Sequence, residues 1–220
     1  MSAKAEGASD RIRGRDTPRW LPRGEAVLPF LALALFVLMF VAGPLADIGV
    51  LKRPLLGMVV LALGLAVFGL QVATLLRPTG TIILLNAVAA GLFVLLLCVL
   101  LLRGVMVPGA VTMNRIIGAV VVYLLFALLF ALMFDLVERL SPGAFTMGPE
   151  PTPLTPAGAR FFYLSVITLT SVGFGDMAPV HPVARSLVML EGVLGQIYTT
   201  VLLARLVSLE IAQRKGERSP

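Results

Sequence analysis

The stretch "TLTSVGFGDMAP", Thr168 to Pro179, sets hydroxyls and glycines between apolar residues and closes on an acid. It suits neither a regular helix nor a strand, and the chemistry it offers is that of its backbone. Gly173 and Gly175 permit dihedral angles that L-residues avoid, so successive carbonyls can point one way. Four copies around an axis would stack those oxygens into rings, and such rings can replace the water shell of a monovalent cation. The Ser171 hydroxyl could add one further ring.

The elements around the stretch are those such a site needs. The chain has 220 residues, 58% hydrophobic and only 14% charged, whereas soluble domains carry roughly 25% charge. Its apolar residues are bunched into Phe30–Ala42, Leu55–Leu76, Ile82–Leu102, Ile116–Phe134 and Val183–Leu203. A bilayer core of about 30 Å needs about 20 apolar residues in a helix. Four of these stretches clear or approach that length, and the first reaches it when extended from Val27 to Ala46. A proline-rich break, "ERLSPGAFTMGPEPTPLTPAGAR", must lie outside the hydrocarbon. The apolar run after it, "FFYLSVITLT", is too short to cross and suits a re-entrant half-helix. Thr155 can cap that helix, with Pro156 at its first position and Leu154 as a hydrophobic staple. Its partly negative C-terminal end would face the cation.

"TLTSVGFGD", Thr168 to Asp176, resembles the potassium-channel signature T-x-T-T-V-G-Y-G-D. The span on each side extends the resemblance over a pore module from about Asn114 to Ser208, somewhat under half the chain. The resemblance implies filter carbonyls, and K+ sites, at Ser171, Val172, Gly173 and Phe174, with Gly175 and Asp176 at the outer mouth and Thr170 supporting the filter. Ser171 and Phe174 depart from the commoner Thr and Tyr, but "SVGFG" is similar to the filter of ether-à-go-go-type channels, which select potassium. Leu164 and Ile167 stand where many relatives place an aromatic or polar brace, and the chain's single Trp is Trp20. Asp176 is therefore expected to lack the usual tryptophan clamp, leaving a loosely braced filter that inactivates slowly. The plan as a whole resembles small prokaryotic ion-channel-family proteins with one pore module.

The last span carries Gly192 and Gly195, each costing a helix about 1 kcal/mol, so a reason is expected. Close helix packing is one. The other comes from the resemblance, which sets Gly195 at the hinge of an inner helix and turns Thr199 to the cavity. Glu191 is an acid within an apolar helix and needs a partner, for which half-helix hydroxyls and Gln196 are candidates, or a place at the solvated outer interface. His181, beside Pro182, reads as a helix-start residue or an external pH sensor. Asp135, Glu138 and Glu150 could concentrate cations at the mouth or form an ordinary solvated rim.

These readings predict an all-α membrane protein: a multi-span helical bundle with a re-entrant pore helix and selectivity filter, assembling as a homotetramer. The expected segments are a flexible basic tail (1–26), a transmembrane region without gating charges (27–105), a pore domain (113–209) and a short cytoplasmic tail (210–220). Within the pore domain fall an outer helix (114–138), pore helix (156–170), filter (171–175) and inner helix (183–208). The expected function is passive K+ conduction in the cell's inner membrane, with lipid and K+ as partners and no cofactor or nucleic acid. The net charge of +6 is spread over tails and loops rather than gathered in one patch. No upstream span carries the regularly spaced Arg of a voltage sensor. The residues after Ser208 are too few for a ligand-binding regulatory domain. Cys98, the lone cysteine, reads as a buried structural thiol. Two other functions fit parts of the pattern: a non-selective cation pore, and a G-x-G-D intramembrane aspartyl protease pairing Asp176 with Asp135. The protease leaves the hydroxyl run unexplained and needs both acids on full spans, so the chain is expected not to be an enzyme.

Three crossings before the pore module would put the basic N-terminal tail outside, against the positive-inside tendency. A re-entrant first stretch, flanked by Pro29 and Pro44, keeps most of the 18 basic residues inside. Charge favours the second arrangement and length the first. An N-terminal epitope tag on intact cells resists external protease if the first stretch is re-entrant and is cleaved if it crosses.

Overall fold

The computed structural model describes residues 54–77, 79–106, 113–147 and 157–217. The N-terminal tail, the first apolar stretch, Glu150 and the capping residues Leu154, Thr155 and Pro156 lie outside the described residues. Among the described residues, four helices are long and apolar enough to cross a membrane. They are α1 (Pro54–Leu76), α2 (Gly80–Met106), α3 (Met113–Leu140) and α5 (Pro182–Glu217), with the short α4 (Ala157–Leu169) set between the last two.

A three-residue link forces α1 and α2 to lie antiparallel. They meet where Gly64 faces the Phe93 ring, with room for little more than hydrogen: a Cβ there would lie 3.3 Å from it. Asn86 Nδ2 donates to Gln71 Oε1 across the same pair, giving each amide one partner that lipid could not supply. Elsewhere α1 stays bare, with Leu55, Met58, Leu61 and Leu65 exposed, as a helix facing hydrocarbon should be. Neither helix carries a charge apart from Arg103 near the end of α2.

Two apolar clusters hold the bundle. Val94, Leu97, Cys98 and Leu101 of α2 interlock with Val121, Val122 and Leu125 of α3 and Tyr198 of α5; Cys98 is a buried free thiol, as expected. Phe130, Ala131 and Phe134 of α3 enclose Phe161, Leu164 and Ile167 of α4 together with Ala184 of α5. Leu164 and Ile167 therefore serve as apolar packing of the half-helix against its neighbours. Tyr198 adds a polar handle, its hydroxyl donating to Ala119 O at 2.7 Å while its ring stacks on Tyr123 and meets Phe126 edge-on.

Two features depart from the expected plan. A pair of three-residue strands, β1 (Phe145–Met147) and β2 (Met177–Pro179), joins antiparallel, with Thr146 opposite Ala178. The pair ties the exit of α3 to the segment just after Asp176. Strands so short leave too little alternation to be read from sequence. The second departure is that α5 runs on to Glu217, so residues 210–217, expected as a tail, continue the helix. "EIAQRKGE" is rich in helix formers, and no proline stops it.

Candidate pore-loop site

The site begins at the C-terminus of α4. A helix leaves its last four carbonyls without intrahelical partners, and here each finds a donor. Val166 O accepts from Thr170 N (3.0 Å) and Thr170 Oγ1 (2.7 Å). Ile167 O accepts from Val172 N (2.9 Å) and Gly173 N (3.1 Å), and Thr168 O from Ser171 N (2.9 Å). Leu169 O accepts from the hydroxyl of Tyr123 on α3 at 2.9 Å. The bonds from Val172 to Ile167 and from Ser171 to Thr168 are those of a Schellman cap. Its left-handed position falls on Ser171, with φ of 59°. Glycine is usual there, and a side chain makes the conformation costlier by roughly 1–2 kcal/mol.

Past the cap the hand alternates. Ser171, Gly173 and Gly175 have φ of 59°, 51° and 78°, whereas Val172 and Phe174 keep negative φ. The two glycines are needed on this ground alone. All residues from Ser171 to Asp176 are exposed in the single chain, Val172 at 53% and Phe174 at 70%. The Thr170 hydroxyl bonds back to Val166 O, one turn earlier.

The outer end of the segment has an aromatic neighbour on the half-helix. The Tyr163 side chain lies near Asp176, and its ring stacks on Phe174 with centroids 6.5 Å apart and planes 5° apart. The missed signal was an aromatic residue on the half-helix, one residue before Leu164. The short sheet braces the same end. Glu138 accepts from Gly143 N (2.9 Å) and Phe145 N (3.3 Å), and Ala144 O accepts from Val180 N (2.8 Å) and His181 N (3.2 Å). Asp135 pairs with Arg139 at 2.6 Å. Glu138 is thus engaged in shaping the loop. His181 starts α5 by accepting from Val183 N at Nδ1.

Behind the segment lies one buried polar node. Glu191 and Ser165 are both 0% exposed. Ser165 on α4 donates to Ala127 O of α3 (2.7 Å) and is hydrogen-bonded to Glu191 Oε1 of α5. Three helices meet at that hydroxyl. A half-helix hydroxyl is therefore the partner of Glu191, and the solvated interface and Gln196 are set aside. Gln196 instead donates from Nε2 to Ser171 Oγ at 2.6 Å, so the hydroxyl that could have formed an extra cation ring is engaged by the inner helix. Thr199 is exposed but bonds back to Gly195 O at 2.6 Å, so its proton stays with its own helix.

The two glycines of α5 separate cleanly. A Cβ on Gly195 would lie 2.5 Å from Leu169 O, the last carbonyl of α4, whereas one on Gly192 would meet nothing within 4 Å in the chain. Close packing against the half-helix is what Gly195 is for. No feature of the geometry assigns a packing role to Gly192.

Residues 152–211 match the family model described as "Ion channel". The chain is also 33% identical over 73 residues to the inward rectifier potassium channel Kirbac3.1 of Paramagnetospirillum magnetotacticum, a match covering 33% of this chain and 20% of that protein. The chain thus matches about a fifth of the length of this relative. No solved structure matches the chain.

Alanine at the two glycines gives opposite results in thermal unfolding of the detergent-solubilised protein. Gly195→Ala forces α5 away from Leu169 and lowers stability by about 1–3 kcal/mol. Gly192→Ala leaves it unchanged or raises it by about 0.5–1 kcal/mol through helix propensity. Equal behaviour of the two would contradict the packing assigned to Gly195. Residues 152–211, the part of the chain similar to the ion-channel family model, hold the capped half-helix, the exposed segment after it and most of the last membrane-length helix.

Proposed function

We propose that the chain forms a potassium-selective channel in which four copies close Ser171–Gly175 around a common axis. The observation that carries this reading is the alternating sign of φ from Ser171 to Gly175. Backbone of alternating hand gathers N–H groups on one side and leaves carbonyls on the other. Carbonyls ringed in this way would stand in for the hydration shell of K+ at Ser171, Val172, Gly173 and Phe174. A single chain has no way to enclose an axis, and its segment is fully open to solvent, so closure requires further copies in cyclic symmetry. The exposed apolar face of α5, with Met189, Val193, Ile197 and Val201, offers surface for that closure.

The cation needs no resident cofactor, because the selecting groups are the chain's own backbone. The Tyr163 stack on Phe174 and the Glu138 bonds favour a filter of fixed width over a wide non-selective pore. The absence of charge along α1, and of any in α2 before Arg103, supports gating by something other than a charged voltage-sensing helix. The multi-pass arrangement suits a cell's inner membrane, with the filter toward the outer side.

Flux into liposomes holding the purified full chain tests the proposal. Potassium should enter at least about tenfold faster than sodium, a discrimination of about 1.4 kcal/mol. Gly173→Ala, which puts a side chain at φ of 51°, should lower potassium flux or the ratio by a similar factor. Equal sodium and potassium flux would favour the non-selective pore, and no flux would sink the channel reading.

A further inference from the structure

We propose that Gln196 is a positioning residue that clamps Ser171, the first residue of the filter, in its left-handed conformation. The inference builds on the channel reading above and adds to it a link between α5 and the entrance of the filter.

Three observations carry it. Ser171 is the single non-glycine residue with positive φ among the described residues, and it sits at the turn of the Schellman cap where glycine is the usual occupant. A side chain holds such a conformation only where its surroundings over-determine it. The surroundings here include the amide of Gln196, whose Nε2 donates to Ser171 Oγ at 2.6 Å from an element 25 residues further along the chain. The neighbouring Gly195 lies against Leu169 O, two residues before Ser171. Adjacent residues of α5 therefore touch the turn at both ends: Gly195 at the last carbonyl of α4, Gln196 at the first residue of the filter.

The arrangement has a directional consequence. Successive residues on a helix are about 100° apart around its axis, so Gly195 and Gln196 hold the turn from two sides. A rotation of α5 that keeps Gly195 seated must carry the Gln196 amide along the turn, and a rotation that breaks the amide bond releases the one residue of the filter entrance with a steric reason to leave its conformation. Serine at this position also makes the link possible, since glycine would offer the amide no acceptor on its side chain. The clamp thus transmits the position of the inner helix to the innermost carbonyls of the filter.

A double-mutant cycle tests the clamp, using the full chain with Gln196→Leu, Ser171→Gly and both together. Gln196→Leu keeps side-chain bulk but removes the donor. It should lower the melting temperature in detergent by about 2–4 °C and reduce the potassium-to-sodium flux ratio in liposomes about tenfold. In the Ser171→Gly background the same change should move neither readout, because glycine occupies the left-handed region unaided. Equal losses in both backgrounds would show that Gln196 acts elsewhere, and no loss in either would remove the clamp. The melting cycle decides the clamp even if wild type fails to discriminate potassium from sodium, a result that would count against the channel reading alone.

Discussion

Everything in the pore half of this chain depends on how one short helix ends. Helix α4 has 13 residues, and its last four carbonyls would be left bare in a low-dielectric setting if the chain continued without a cap. The chain meets the demand locally with the amides of Thr170, Ser171, Val172 and Gly173, and distantly with the Tyr123 hydroxyl. Folding back to supply those amides imposes the left-handed turn at Ser171. The same turn starts the alternation of backbone hand that presents carbonyls to an axis. The cap and the start of the exposed segment are one structure.

The remaining elements position that turn. Helix α3 supplies Tyr123 and the Ala127 carbonyl; helix α5 supplies Gly195, Gln196 and Glu191. Burying an acid beside a hydroxyl is costly unless its polar atoms find partners. Ser165 meets one oxygen of Glu191, while Oε2 has no partner among the described residues. A feature of that cost at the meeting of three helices fixes their mutual register, which apolar packing alone leaves freer to slide. At the other end, Tyr163 and the β1–β2 pair hold the exit of the segment. The segment Ser171–Asp176 is held at both ends and exposed along its length.

Much of this was legible in the residues. The half-helix, the glycine-bearing segment and the flanking spans followed from apolar run lengths and from "TLTSVGFGD", and the helix bounds agree to within a few residues except at the far end of α5. Three things were not legible, each for a physical reason. The roles of Gly192 and Gly195 depend on which atom lies opposite, and spacing along a helix does not name a neighbour. The stacking of Tyr163 on Phe174 escaped because two rings eleven residues apart meet only once the chain has turned back on itself. The partner of Ser171 lay 25 residues away on another helix, and its need for a partner came from a positive φ that serine does not announce.

Reconstruction of the full chain by electron cryo-microscopy, in lipid nanodiscs with potassium as the sole alkali cation, bears most directly on the proposal that capped half-helices present dehydrating carbonyls to an ion. The account predicts four-fold symmetry with density on the axis, level with the Val172 and Gly173 carbonyls, that weakens when sodium replaces potassium. A monomer, or a closed assembly whose axis is empty at that level in potassium, would contradict it.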